Sequence, residues 1–454
     1  MELQLFSTQD GRPLDWEVFL RQPIGKLYLT IPFQKYAALI PSKTREAGRK
    51  GWFSPIGGLA LQVLKHYYGT SDEKLIEQLN FNKLMQYLCG INLSPGQIIK
   101  DDDVVSRWRR YWGNLMDIPQ FLGKLQLANA QQWQDGMENT RTNLSDATCY
   151  ESHVRYPTDV KLLWECIEYL YPQMKLISKF IGIPMFRSKY KEQQKKHLAY
   201  QRNRKKTYKQ TLRLRKSLLH LLNKYLQILP KLIGAMKIKE AAELLTCPVK
   251  HKFFSRLSII KKVYQQQQLH YTEPDRPIKD RIVSLAKPYL RPIVRGKEVK
   301  RVEFGMKVHE MQIDGINFIE HWSFDAFHEG IRMTKAIWKH QYLFKKKCKL
   351  FGGDKIYGNN KNRRYCSLHE IQTCFVPKGQ AAKDKVVNKQ KKLLRQLIGK
   401  ERATRLEGSF GNKKNHYLLG RIKAKNYFTE LAWIFFGNLT SNAVAMYKRT
   451  KPPP

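Results

Sequence analysis

Carboxylates are scarce in this chain. Its 454 residues hold 38 Asp and Glu against 82 Lys and Arg, a net charge of +44. A compact chain with that imbalance repels itself, and a polyanionic partner relieves the repulsion. Long apolar runs are absent as well. No stretch reaches the roughly 18 residues that a membrane helix needs, which puts nucleic acid ahead of an anionic bilayer as the polyanion. The opening M-E-L-Q-L-F-S-T-Q-D has no basic segment followed by an apolar one, so no signal peptide is expected. The seven cysteines include no C-x-x-C pair. That argues against a disulfide framework and a structural zinc site, and for reduced thiols. His309, His321, His328 and His369 have no zinc spacing either and read as surface or packing residues. The G-x-x-G near residue 352 lacks the G-K-[ST] that a phosphate-cradling loop requires.

What is present is enough to build an interior: 42% hydrophobic residues, 12% aromatic. Residues 1–140 read as a helical N-terminal domain, either a helix-turn-helix reader that binds DNA or a dimerisation or packing domain. S-P-I-G-G-L-A-L-Q-V-L-K-H-Y-Y has helical spacing up to Gly69. Thr70 and Glu73 then offer a capping box, a short helix around F-N-K-L-M-Q-Y-L-C follows, and V-V-S-R-W-R-R-Y-W interleaves basic and aromatic residues. Residues 141–156 carry a strand, L-S-D-A-T-C-Y, with Asp146 inside it. Residues 157–280 are a basic helical insertion, read as a long hairpin. Within it, residues 187–216 hold 13 Lys or Arg and one Glu, and Arg202, Arg204, Lys205 and Lys206 are candidates for phosphate contact.

Residues 281–454 complete the molecule. A proline-punctuated stretch over 281–303 is expected to run extended. Two strand-like runs flank D-G at 314–315, a hairpin signal. A helix from Ala326, a strand ending at Asp354, a strand over 371–377, a lysine-rich linker over 379–400 and a helix bearing Glu407 follow. Strands and helices in this mixed order predict an α/β fold, a central sheet flanked by helices.

Three acids fall at distinctive places: Asp146 in the first strand, Asp354 at a glycine-rich strand exit, and Glu407 alone among Arg402, Arg405, Lys413, Lys414 and His416. Carboxylates converging from separate elements suit Mg²⁺, and two such ions would serve phosphoryl transfer. Lys414 lies two helical turns beyond Glu407, too far for a pair with it and well placed for a phosphate. Asp325 is a rival second acid but stands where a helix N-cap belongs.

These stretches, L-S-D-A-T at Asp146, I-V-S-L with R-P-I-V-R-G-K and V-E-F-G-M-K, G-D-K-I-Y-G-N-N-K-N-R at Asp354 and R-L-E-G-S-F-G-N-K-K-N-H-Y-L-L-G-R at Glu407, resemble a DDE transposase of a bacterial insertion sequence. P-I-G-G-L-A-L-Q-V-L-K-H-Y-Y-G-T-S-D-E-K-L-I resembles the helical N-terminal domain of such enzymes. The resemblance implies a ribonuclease-H-like core, with Asp146, Asp354 and Glu407 as catalytic metal ligands for Mg²⁺, Mn²⁺ substituting. It implies phosphate contacts from Lys414, Lys413, Arg405 and Arg402, double-stranded DNA (element ends and target) as partner, a homodimer or higher assembly on DNA, and a cytoplasmic, nucleoid-associated protein. Related transposases carry an arginine four positions before the glutamate. Here that position is Ala403, with Arg402 and Arg405 on either side. Cleavage at element ends and strand transfer by a 3′-hydroxyl is the activity expected. A non-catalytic, transposase-derived DNA-binding protein and a structure-specific nuclease on the same core are the alternatives.

Overall fold

The computed structural model describes residues 16–41, 51–243, 249, 251–294, 302–378 and 384–449. The chain divides into two compact units, residues 1–153 with 305–454, and residues 154–304.

The first unit opens with helices α1 (Trp16–Arg21), α2 (Pro23–Thr30), α3 (Phe33–Leu39), α4 (Pro55–Tyr68), α5 (Asp72–Phe81), α6 (Lys83–Leu88), α7 (Asp103–Asp117) and α8 (Phe121–Trp133). Helix α4 has the predicted bounds for local reasons. Ser54 caps it by accepting from the Gly57 N–H, Pro55 fixes its first turn, and Gly69 closes it at φ +63°. The Thr70–Glu73 box does not form. Ser71 is the N-cap of α5, accepting from the Lys74 N–H, and Asp72 turns to Lys65 at 2.6 Å and Arg109 at 2.7 Å. The basic and aromatic stretch on α7 is split: Arg107 and Arg110 are exposed, while Arg109 and Trp112 turn inward. Arg109 is buried beneath the Trp433 ring and Trp112 is fully enclosed.

The helices expected over 1–140 belong to the same compact unit as residues 305–454. Leu64, Val105, Trp112 and Trp133 share one apolar core with Met311 and Phe318 of the sheet and Phe436 of the last helix. Helices this short bury too little among themselves and complete their core against the sheet.

The strands are β1 (Thr142–Glu151), β2 (Pro292–Val294), β3 (Val302–Ile313), β4 (Ile316–Ser323), β5 (Leu350–Gly352) and β6 (Gln372–Thr373). In the first unit their order is β4-β3-β1-β5-β6. β1, β3 and β4 are antiparallel, and β5 and β6 extend the β1 side in parallel. The D-G signal forms the β3–β4 hairpin, with Asp314 and Gly315 at φ +48° and +78°. After β4 the helix begins later than expected: α13 is Met333–Phe344, preceded by a 3₁₀ turn over Glu329–Ile331. A second 3₁₀ turn (Lys355–Tyr357) leads to α14 (Asn360–Leu368). The strand expected over 371–377 shrinks to β6. The linker expected over 379–400 is mostly helix, α15 (Lys385–Glu401), because its Val, Leu and Ile residues recur at helical spacing; residues 379–383 lie outside the described ones. Next come a π-helical turn (Arg402–Glu407), α16 (Gly408–His416) and α17 (Tyr427–Tyr447), which is buried along almost its whole length.

The second unit carries four helices among the described residues rather than one hairpin: α9 (Asp159–Ile181), α10 (Tyr190–Arg202), α11 (Tyr208–Glu243) and α12 (His251–Thr272). Leu163, Leu170, Leu222, Tyr225 and Ile260 form its core. Of the stretch expected to run extended, residues 281–291 lack regular structure and turn at 288–289, residues 292–294 and 302–303 are strand, and residues 295–301 lie outside the described ones; Arg281 ties this stretch to Asp159 at 2.9 Å. β2 pairs with the first residues of β3, Pro292 opposite Phe304. No described helix is long and apolar enough to cross a membrane. Cys89, Cys149, Cys166, Cys348, Cys366 and Cys374 are free thiols, and Cys247 lies outside the described residues.

Candidate active site

Side chains alternate along β1, so Leu144, Asp146, Thr148 and Tyr150 share one face. The helical run α15–α16 covers that face: Leu144 packs with Ile398, Leu406 and Phe410. Close approach needs a small residue on β5. A Cβ on Gly352 would fall 2.6 Å from both Ile398 and Leu144 side-chain atoms. Asp146 is thus a carboxylate between a sheet and a helix.

The residue opposite it is Arg402. One guanidinium nitrogen reaches Asp146 at 2.9 Å and another reaches Glu407 at 3.1 Å. Five residues separate Arg402 from Glu407, a spacing that splays two side chains apart on an α-helix. Here the intervening turn is π-helical, which holds one residue more per turn and brings positions i and i+5 onto the same face. The structure therefore selects Arg402 over Arg405 as the arginine beside the glutamate. Arg405 points elsewhere, to Glu401 at 3.0 Å and Asp314 at 3.8 Å.

Asp354 follows β5, which lies parallel to β1 and next to it. Its carboxylate accepts the Lys355 N–H and caps the 3₁₀ turn, leaving the residue exposed. Burial pushes Asp146 up to about 6. The negative fields of Glu329 and Asp354 add to this, while the Ala147 N–H and Arg402 oppose it. Those same fields identify the neighbourhood: Asp146, Asp354, Glu329 and Glu320 all act on the buried Tyr357. Tyr357 hydrogen-bonds His309 at 2.7 Å, and the other ring nitrogen of His309 lies 2.9 Å from Glu320. Burial would raise Glu320, but hydrogen bonds from His309 and Arg332 outweigh it and hold the carboxyl near 2.

Glu407 and Lys414 stand along β1 together. Seven helical residues rise about 10 Å and four strand residues about 13 Å, so the two runs are nearly matched in length. Accordingly Glu407 sits at the level of Asp146, and the Lys414 ammonium lies 5.9 Å from the Tyr150 ring. Lys413 is corrected: it is 1% exposed, and its ammonium pairs with Glu310, so it offers nothing to a phosphate. Tyr150 and Asn317 also hydrogen-bond Glu310, at 2.7 and 2.8 Å, and Asn317 reaches Ser409 at 2.9 Å. This buried set fastens α16 to the sheet. Asp325 caps neither the 3₁₀ turn nor α13 and lies exposed in the bend after β4. Arg202, Arg204, Lys205 and Lys206 are exposed between α10 and α11 in the second unit.

Glu329, Glu310 and Tyr357 escaped the sequence reading, and His309, expected as a surface or packing residue, is buried with both ring nitrogens engaged. Glu310 and His309 carried a signal, polar residues within an apolar strand. Glu329 carried none, since an acid ahead of a helix is ordinary.

Carboxylate oxygens are the donors that a hard divalent cation prefers, and Asp146 is raised chiefly by burial, with smaller contributions from Glu329 and Asp354. Their spacing in this arrangement is set by Arg402. Among the described residues no three His, Cys, Asp or Glu side chains are grouped to hold one metal ion.

Residues 15–111 match a known family, described as a transposase domain (DUF772). The match covers the helical N-terminal region and none of the acids above. No curated protein and no solved structure matches the chain.

Proposed function

We propose that the protein is a DNA transposase that cleaves strands at the ends of an insertion sequence and transfers them to target DNA on a ribonuclease-H-like core. The observation that carries this reading is that Arg402 bridges Asp146 of β1 and Glu407 of the π-helical turn while Asp354 leaves β5 beside β1, each aspartate two residues past the paired Leu144 and Gly352, in a chain whose residues 15–111 match a transposase domain. The mixed sheet, three antiparallel strands with two parallel ones added beside β1, supports the core assignment.

Asp146, Asp354 and Glu407 would hold Mg²⁺, or Mn²⁺ in its place. The chemistry such a metal would supply is activation of a water or 3′-hydroxyl and neutralisation of the leaving oxygen. The remaining work falls to the chain's own residues. Arg402 keeps Asp146 and Glu407 together before substrate arrives and then has a guanidinium to offer a phosphate. Lys414 presents an ammonium two turns from Glu407, along the path a strand would follow. The Lys413–Glu310 pair fixes α16, and with it Glu407 and Lys414, on the sheet. Double-stranded DNA is the substrate, and handling two element ends in one reaction implies a homodimer or larger assembly.

Asp146→Asn, Asp354→Asn and Glu407→Gln, each assayed with end-labelled DNA and Mg²⁺, should lose cleavage while retaining end binding in a mobility-shift assay. Wild-type cleavage in all three would sink the assignment. The ion pairs that Arg402 makes with two of the three acids favour a second reading, a DNA-binding protein whose carboxylates are permanently neutralised. It predicts binding without cleavage by the wild type itself.

A further inference from the structure

Helix α13 buries Met333, Ala336, Ile337, His340, Leu343 and Phe344 and turns a second stripe outward. Lys335, Trp338 and Tyr342 follow one another at spacings of three and four along one side of the helix, and Lys345 caps its C-terminal end. Trp338 and Tyr342 are 59% and 46% exposed. Both rings are nonetheless held. The Trp338 indole N–H donates to the Tyr365 hydroxyl on α14 at 3.0 Å, and the Lys345 ammonium lies 4.8 Å from the Tyr342 ring. Tyr365 in turn lies 4.3 Å from the His369 ring. With its N–H already satisfied, Trp338 offers a partner ring surface rather than a donor.

The setting of these rings is cationic. Segments 333–353 and 355–369 contain ten Lys or Arg and no Asp or Glu. Lys335, Lys345, Lys361 and Arg364 are exposed, and none of them makes an ion pair among the described residues. Exposed, pre-positioned rings beside unneutralised cations match one ligand chemistry: unpaired bases that stack, on a backbone whose phosphates the cations meet. Duplex DNA would engage the cations but hides its base faces.

We propose that the α13–α14 ledge binds single-stranded DNA, with bases on Trp338 and Tyr342 and phosphates on Lys335, Lys345 and Arg364. Helix α13 follows directly on the turn that carries Glu329, and α14 on the turn that Asp354 caps. The ledge is therefore joined through both of its helices to turns that carry acids of the candidate site. Binding there requires no cleavage, so the ledge stands or falls apart from the catalytic reading.

The test uses the full chain, a labelled 20-nucleotide oligothymidine and a 20-base-pair duplex, read by fluorescence anisotropy. Trp338→Ala with Tyr342→Ala should weaken single-strand binding about 10- to 100-fold and leave duplex binding within about twofold. Trp338→Phe with Tyr342→Phe should recover most of the loss. Replacing Lys335, Lys345 and Arg364 with Gln should flatten the single-strand salt slope by about 2. Circular dichroism and sedimentation accompany each variant. An unchanged single-strand Kd in the folded alanine variant overturns the proposal, as does an equal loss on both DNAs. A fall in assembly size with single-strand affinity intact would assign the ledge to a subunit contact and also overturn it.

Discussion

Asp146 shows what the site costs the chain that carries it. Burial and the facing acids lift its carboxyl to about 6, from 3.8 for an ordinary aspartate, although Arg402 lies 2.9 Å away. The folded state therefore holds a proton more tightly than the unfolded one. Below pH 3.8 both states are protonated and no penalty exists. As pH rises through the interval from about 4 to 6 the penalty grows, and above it the full cost remains, ~3 kcal/mol at most. Asp146→Asn should consequently raise the melting temperature at pH 8, with the gain vanishing near pH 4; a variant less stable than wild type at pH 8 would contradict this account. Glu320 behaves in the opposite sense. Its carboxyl is held near 2, so its contribution is complete above about 4.5 and is lost as pH falls toward 2. Glu320→Gln should destabilise the fold by ~1–3 kcal/mol at pH 7, measured by urea unfolding, and the difference should narrow in acid. One residue is strained by the site, and the other holds its buried neighbours in place.

The π-helical turn is the feature at element scale that organises the site. It absorbs one extra residue between Arg402 and Glu407, so α15 and α16 keep their own faces on the sheet while the two side chains still meet. If the extra residue is an insertion in an otherwise regular helix, removing Ala403 restores a spacing of four and leaves both flanking helices in register. The deletion variant should fold, melt within about 5 °C of wild type and retain Arg402 beside Glu407. Loss of helical circular dichroism would show that the turn is required for the fold itself. This element also marks the limit of what the residues reveal in linear form. Strand β1, the D-G hairpin and helix α4 were legible, because turn chemistry and periodicity are local. Asp146, Asp354 and Glu407 were legible as acids in unusual company. Which arginine faces Glu407 was not, since an α-helical period applied to 402–407 points to the wrong neighbour. Lys413 misled for a related reason: a lysine among bases looks solvated, and only the sheet packed against it reveals Glu310. The helices within 1–140 were readable one by one, but their shared core with β3, β4 and α17 depends on pairings more than 170 residues apart.

Charge dominates at the scale of the whole molecule, and the two units carry it differently. In the first, several cations are committed to internal pairs: Lys65 and Arg109 with Asp72, Lys413 with Glu310, Arg332 with Glu320. In the second, Arg215 and Arg281 serve Asp159, yet the α10–α11 connection leaves Arg202, Arg204, Lys205 and Lys206 exposed together. Of these, Lys206 bonds the Asn203 carbonyl at 2.9 Å and lies 5.5 Å from the Tyr200 ring. Such a cluster raises self-repulsion without stabilising the unit, which is the expected signature of a surface kept for a polyanion. Each phosphate neutralised on duplex DNA releases counterions, so log K falls against log salt with slope about −0.9 per phosphate. Replacing all four residues with Gln should flatten that slope by roughly 2–4 units. Discrimination between element ends and unrelated DNA should hardly change, because phosphate contacts position a protein and base contacts specify its site. Thermal stability should hold or rise slightly, since the four side chains lie outside the core of Leu163, Leu222 and Tyr225. An unchanged salt slope in the folded quadruple variant would show that this face never meets DNA, and the excess charge of the second unit would then need another partner.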